Sequence, residues 1–267
     1  MTVRPDDSGA AMTLHNAIQR LEKAGVPDPA GDARRLQRAC PDAAAYQHAI
    51  ADRAQRKPVS HILGTRAFWK HDFKVTPDVL DPRPETETLV ELALSETFTK
   101  LLDLGTGSGC IVISLLAEMP QAKAVGTDNS EQAVLVAGEN AVMAGVADRL
   151  ILPLSDWFDD IGGQFDLIVS NPPYIAAHEM AGLAPEVRDH EPQTALTDRA
   201  DGLTAYRTIA RDAPGHLTPG GRLLVEIGPT QGQIVAQLFR DAGLKDVCIH
   251  PDLDGRDRVV AARMPGG

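Results

Sequence analysis

Asn171, Pro172, Pro173 and Tyr174 follow the apolar run Phe165–Ser170 without a break. An amide, two prolines and an aromatic ring at the end of a buried strand make a stiff turn, because proline fixes φ and has no N–H, which leaves its neighbours' carbonyls free to accept hydrogen bonds. Such a turn suits a flat, polar nitrogen group. The nitrogen of a carboxamide, or of the exocyclic amine of adenine, is a poor nucleophile because its lone pair is delocalised. If the Asn171 side-chain oxygen and the Pro172 carbonyl accept its two N–H bonds, charge developing on nitrogen is favoured and the lone pair is aligned for in-line attack on a sulfonium methyl. Asn171, Pro172 and Tyr174 are therefore the candidate catalytic residues. With Pro173 they also form the candidate substrate clamp, in which Tyr174 packs on the planar group.

The methyl donor is sought at the other strand ends. Gly105, Thr106, Gly107, Ser108 and Gly109 form a turn after Leu101–Leu104. A glycine-rich strand-to-helix loop followed by an acid also describes a dinucleotide site. Here the spacing is GxGxG, not GxGxxG, and Cys110 occupies the place of the third dinucleotide glycine. Asp128, at the end of the next strand, is suited to two ribose hydroxyls, and backbone approached through the glycines accommodates an uncharged amino-acid tail. Both features fit S-adenosylmethionine. Asp156 and Trp157, after the third strand, offer a carboxylate to the adenine amine and a ring beside the base. Asp103 either holds the cofactor's amino group or orders the loop.

These residues require a particular scaffold. From Lys100 onward, strands at 101–104, 123–127, 149–154 and 165–170 alternate with helices from Cys110 and Ser130. Helix 202–213, strand 222–226, helix 230–242 and strands 245–250 and 258–263 complete the pattern. Alternation of this kind predicts a mostly parallel sheet covered on both faces, with ligands at the carboxyl ends of its strands. Residues 12–57 read as three short helices, the first capped by Thr13, forming a small N-terminal domain (1–57) suited to docking a macromolecular substrate. Residues 58–81 read as a hairpin linker, Ile62–Trp69 pairing with Phe73–Val75, and 82–267 as the catalytic domain. Alternating prolines at 82 and 84 delay any helix until Glu85. Glu85 and Glu87 then favour its N-terminus, while Arg83, fixed between the prolines, is a candidate substrate contact.

Composition narrows the partners. The 267 residues are 43% apolar, enough for two cores. Residues 101–267 carry 12 basic and 23 acidic side chains, whereas residues 1–100 balance at 14 of each. An acidic catalytic half disfavours a phosphate backbone, so no stable nucleic-acid binding is expected. The three cysteines are widely spaced, which suggests neither a metal site nor a disulfide framework. Residues 1–7 hold no apolar leader core, and no run approaches the ~18–20 apolar residues of a membrane span. The expectation is a cytoplasmic, unexported monomer with no membrane association.

Several stretches together resemble the N5-glutamine methyltransferases of peptide chain release factors, the HemK/PrmC family. They are Pro82–Glu87, Asp103–Ile111, Ser155–Phe158, Asn171–Tyr174, Glu191-Pro192 with Ala195-Leu196, Glu226–Gly228 before Gln231-Gly232, and Asp254–Arg258. The resemblance spans nearly the whole chain. It implies a class I S-adenosylmethionine-dependent, Rossmann-like methyltransferase fold with a seven-stranded sheet and a helical N-terminal domain joined by a hairpin. It further implies methylation of the glutamine in the Gly-Gly-Gln motif of release factors. By position it assigns cofactor contacts to Gly105–Gly109, Asp128, Trp157 and Asn171, and substrate contacts to Asn171–Tyr174. Asp81 departs from the apolar residue expected there. The chain's own Gly162-Gly163-Gln164 reads as a turn before a strand. Two relatives of this chemistry, an N6-adenine methyltransferase and a ribosomal-protein glutamine methyltransferase, share the nitrogen geometry, and a non-catalytic interaction protein is a third possibility.

Overall fold

A computed structural model describes residues 12–266. Residues 1–11, including the stretch 1–7 read above as lacking a leader core, and residue 267 fall outside that range. Packing divides the chain into two units: the segment ending at Gly64 together with Ala184–His190, and Thr65–Leu183 together with Glu191 onward.

The first unit is helical, with α1 (Leu14–Lys23), α2 (Pro29–Ala39), α3 (Ala43–Ala54) and α4 (Val59–Leu63). Thr13, Asp28 and Asp42 each cap a helix by accepting a hydrogen bond from a backbone N–H three residues on. Helices this short are marginal alone. They bury Ala17, Leu21, Leu36 and Ile50 against one another. Ile62 and Leu63, expected to open the hairpin, instead close α4, which Gly64 ends in the left-handed conformation at φ +73°. Within this unit Arg53, 4% exposed, is held by Asp32 and by Glu186 from the later segment. Glu186 also takes two bonds of 2.7 Å from Arg56.

The second unit begins with the hairpin β1 (Thr65–Phe68) and β2 (His71–Lys74). The sheet contains β3 (Lys100–Leu104), β4 (Lys123–Thr127), β5 (Leu150–Ile151), β6 (Phe165–Ser170), β7 (Leu217–Glu226), β8 (Lys245–Pro251) and β9 (Asp257–Arg263), in the order β5-β4-β3-β6-β7-β9-β8. Pairings up to β7 are parallel, and β9 runs antiparallel to both neighbours. The chain therefore starts in mid-sheet, winds out to β5, and returns across β3 to β6. Order reverses between β3 and β6, and that is where a crevice opens at the strand ends.

Helices α5 (Glu87–Leu94), α6 (Cys110–Glu118) and α7 (Glu131–Met143) precede the crossing, and α9 (Gln193–Leu196), α10 (Thr204–His216) and α11 (Gly232–Asp241) follow it, whereas α8 (Pro185–Arg188) belongs to the first unit. One core packs α5 and α6 against Leu101, Leu167 and Val169, and a second packs α10 and α11 against Leu102, Ile168 and Leu223. Alternate residues of each strand feed opposite cores, as a two-faced sheet demands. The strand expected over 149–154 is shorter. Pro153 lacks a ladder donor, and pairing resumes only as an isolated bridge between Asp128 and Leu154. β7 starts at Leu217, five residues before the expected position, and α10 runs on through Pro214 to His216. No helix among the described residues is long and apolar enough to cross a membrane.

Candidate active site

A pocket at the ends of β3, β4 and β6 is lined by Gly105–Ser108, Asp128, Ser155–Trp157, Asn171 and Pro173. The segment Asp78–Arg83, with Thr86, Thr194 and Ala195, forms further wall. The structure thus gathers the predicted cofactor residues Gly105, Thr106, Gly107, Ser108, Asp128, Asp156, Trp157 and Asn171, and the predicted substrate residues Arg83 and Pro173, around one cavity. Gly109, Pro172 and Tyr174 are not among the lining residues.

The glycine turn shows why its residues are needed. Gly107 sits at φ +57° with no heavy atom within 4 Å of where a Cβ would be, and its N–H donates to Asp128 Oδ2 at 2.9 Å. Gly109 has a different task, since a Cβ there would lie 2.7 Å from Ile113 Cδ1 and 3.2 Å from Ala137 Cβ. It lets α6 and α7 approach. Asp128 Oδ1 accepts from the Ser130 N–H. Burial nevertheless raises the Asp128 pKa, the backbone bonds opposing it.

Two polar atoms beside the turn are buried without a hydrogen-bond partner: Asp103 Oδ1 and Asn171 Oδ1. Asp103 spends its other oxygen on the Thr106 hydroxyl at 2.7 Å, and burial lifts its pKa to about 7. Native interiors seldom leave such atoms unpaired. Trp157 holds a left-handed backbone at φ +54°, a state costing roughly 1–2 kcal/mol for an ordinary L-residue. Strain of this kind collects at ligand sites.

The Asn171–Tyr174 turn is fixed from behind. Gln231 Nε2 donates to the Tyr174 carbonyl at 2.9 Å while its Oε1 accepts the Gly228 N–H at 3.0 Å. The Tyr174 side chain packs against the core of α10 and α11, and burial beside Glu226 pushes its phenol to about 12. Its ring is thus anchored while its neighbours Asn171 and Pro173 face the cavity. Asn171 Nδ2 donates to Thr86 Oγ1 at 3.3 Å.

Side chains from distant parts of the chain hold the rest. Glu191, 1% exposed at its side chain, takes Arg83 Nη2 at 2.6 Å on both oxygens. Glu87 accepts the Trp69 N–H at 2.7 Å and so ties α5 to the hairpin, a use beyond its helix-terminal charge. Asn140 on α7 makes three bonds, exchanging two with the Lys74 backbone and giving one to the Ser108 carbonyl at 2.8 Å. Glu191 and Glu226 lay in recognisable stretches, but nothing marked Asn140. Gly162-Gly163-Gln164 is an exposed loop before β6.

Comparison with known proteins identifies the family. Residues 79–186 match the family model "Methyltransferase small domain". The chain is 55% identical over 274 residues to "Release factor glutamine methyltransferase" of Cereibacter sphaeroides, covering 96% of this chain and 99% of that protein. A protein of the same name from Rhodospirillum rubrum is 43% identical, over 94% and 83%. A methyltransferase structure from Pyrococcus furiosus superposes with TM-score 0.57 at 18% identity, covering 75% of this chain and 92% of that one, which identifies the fold. With its seven-stranded, mostly parallel sheet and near full-length likeness to these relatives, the chain belongs to the release factor glutamine methyltransferase family.

Proposed function

We propose that this protein transfers a methyl group from S-adenosylmethionine to the side-chain amide nitrogen of the glutamine in the Gly-Gly-Gln motif of peptide chain release factors. The observation that carries this reading is Asn171 Oδ1, an acceptor buried without a partner on a residue of the pocket wall. A buried, unpaired acceptor in that position suits an amide N–H of the substrate.

The residues present fit the cofactor. The left-handed glycines open the turn to a main-chain-like tail, Asp128 suits its ribose, and Asp156 with Trp157 suits its adenine. When bound, it supplies an electrophilic methyl on a sulfonium. The protein supplies position: Asn171 Oδ1 and the Pro172 carbonyl accept the two amide N–H bonds, which orients the nitrogen lone pair and stabilises charge as it develops. The anchored turn resists rotation of the planar group. We further assign Arg83 to the wall nearest the substrate and the helical unit to docking of the release factor.

Incubation with methyl-labelled S-adenosylmethionine and a purified release factor should place one methyl on the motif glutamine, located by peptide mass spectrometry. Ribosomal protein and nucleic acid serve as alternative acceptors. Label on either of these, with none on the release factor, would overturn the assignment.

A further inference from the structure

Glu226 ends β7 beside the turn that holds Asn171, and it is 1% exposed. Its Oε2 has no partner, and the Thr86 hydroxyl hydrogen-bonds the carboxyl group. Thr86 itself is 2% exposed and accepts Asn171 Nδ2 at 3.3 Å. The three side chains come from α5's entry, β6's exit and β7's end, and they meet at the pocket wall, which Thr86 and Asn171 line and Glu226 does not.

A threonine hydroxyl has one proton and two lone pairs, whereas an ionised carboxylate only accepts. With that proton committed to Glu226, the Thr86 oxygen can act toward Asn171 only as an acceptor. Of the two ends of the Asn171 amide, the NH2 must then turn to Thr86 and the oxygen to the pocket. We infer that Thr86 and Glu226 are positioning residues for methyl transfer, whose hydrogen-bond polarity sets the Asn171 amide oxygen, not its NH2, against the substrate nitrogen. The inference rests on the reading of Asn171 given above.

The relay has a direction, so it can be reversed by a proton. Burial raises the Glu226 pKa to about 7 against the pull of Thr86, Arg258 and Arg83, with Glu85 adding to the rise. Tyr174, Tyr206 and Cys110 also face it, all with raised pKa values that keep them neutral near pH 7. Once protonated, Glu226 can donate to Thr86, whose own proton is then free to turn to Asn171. The amide is driven to offer its oxygen inward and its NH2 to the pocket, where a donor repels the substrate N–H. Turnover should therefore fall as pH drops through about 7.

The test measures kcat against pH at saturating cofactor and release factor for the wild type, Thr86→Val, Thr86→Ser and Glu226→Gln, with cofactor affinity by calorimetry as a check on folding. Thr86→Val should lower kcat on the order of tenfold, the equivalent of one hydrogen bond, and abolish the acid limb. Glu226→Gln should lower kcat and flatten the same limb. Thr86→Ser should restore most of the turnover together with the limb, which a packing role for the threonine methyl would not. If Thr86→Val and Glu226→Gln keep the wild-type kcat and limb while Asn171→Ala loses turnover, the relay is overturned and the reading of Asn171 stands. If Asn171→Ala turns over at the wild-type rate, the reading of the site falls, and the relay with it. An acid limb that persists in Glu226→Gln also overturns the relay and points to another acid, Asp103 being the nearest in pKa.

Discussion

Arg83 Nη2 lies 2.6 Å from both carboxylate oxygens of Glu191, although 108 residues separate them. Glu191 is buried and Arg83 is part of the pocket wall, so the ion pair fixes one face of the cavity to the segment carrying Thr194 and Ala195. The two prolines around Arg83 reduce the backbone freedom lost on forming it.

Replacing Arg83 by alanine would leave the Glu191 carboxylate buried and unpaired. The expected loss is about 1–3 kcal/mol, read as a lower midpoint in thermal unfolding. Glu191→Gln, which retains the shape and one acceptor, should lose less. Equal midpoints for the wild type and Arg83→Ala would show that the pair contributes nothing to stability.

Asn171→Ala should lower kcat by roughly 10²–10³, the scale for removing one preorganised polar contact to a transition state. Cofactor affinity, measured by calorimetry, should change little. A variant with wild-type turnover would remove Asn171 from the chemistry.

Asp128→Ala should show the opposite profile. Cofactor affinity should weaken on the order of tenfold, about one charge-assisted hydrogen bond, with a smaller effect on kcat at saturating cofactor. Because Asp128 also takes the Gly107 and Ser130 N–H groups, Asp128→Asn is the milder control. Unchanged affinity in Asp128→Ala would exclude the ribose role.

Stability of the helical unit should depend on acid. Burial acts to raise the Glu186 pKa, but hydrogen bonds from Arg56 and Arg53 outweigh it and hold the carboxyl at about 2, below its ordinary 4.5. A folded-state pKa below the unfolded value means the stabilisation is fully present above pH 4.5 and is lost as pH falls toward 2. Hydrogen exchange of α3 amides should thus accelerate across that window in the wild type and depend less on pH in Glu186→Gln. Identical pH profiles for the two would show that the pairing is not linked to folding.

Much of the pocket was legible because it is local. The glycine turn, Asp128, Asp156-Trp157 and Asn171–Tyr174 each sit where a strand stops, and the alternation of strands and helices brings those ends together on one edge of a parallel sheet. Residue type at a strand end therefore indicated which side chains would line the pocket. What could not be read were pairings between distant parts of the chain, such as Asn140 with Lys74, Glu191 with Arg83, and Glu186 with Arg53 across 133 residues. Their geometry depends on helix packing and loop paths that leave no periodic trace. The same limit explains why Gly109 and Tyr174, equal to their neighbours in sequence, are not among the lining residues, since only the close approach of α6 to α7 and the packing against α10 and α11 decide which way each faces. The sequence by itself determined the sheet, the glycine turn and the amide at the edge of the pocket. Tertiary structure alone decided what stands behind that amide, because the polarity of a hydrogen bond exists only once its partners meet.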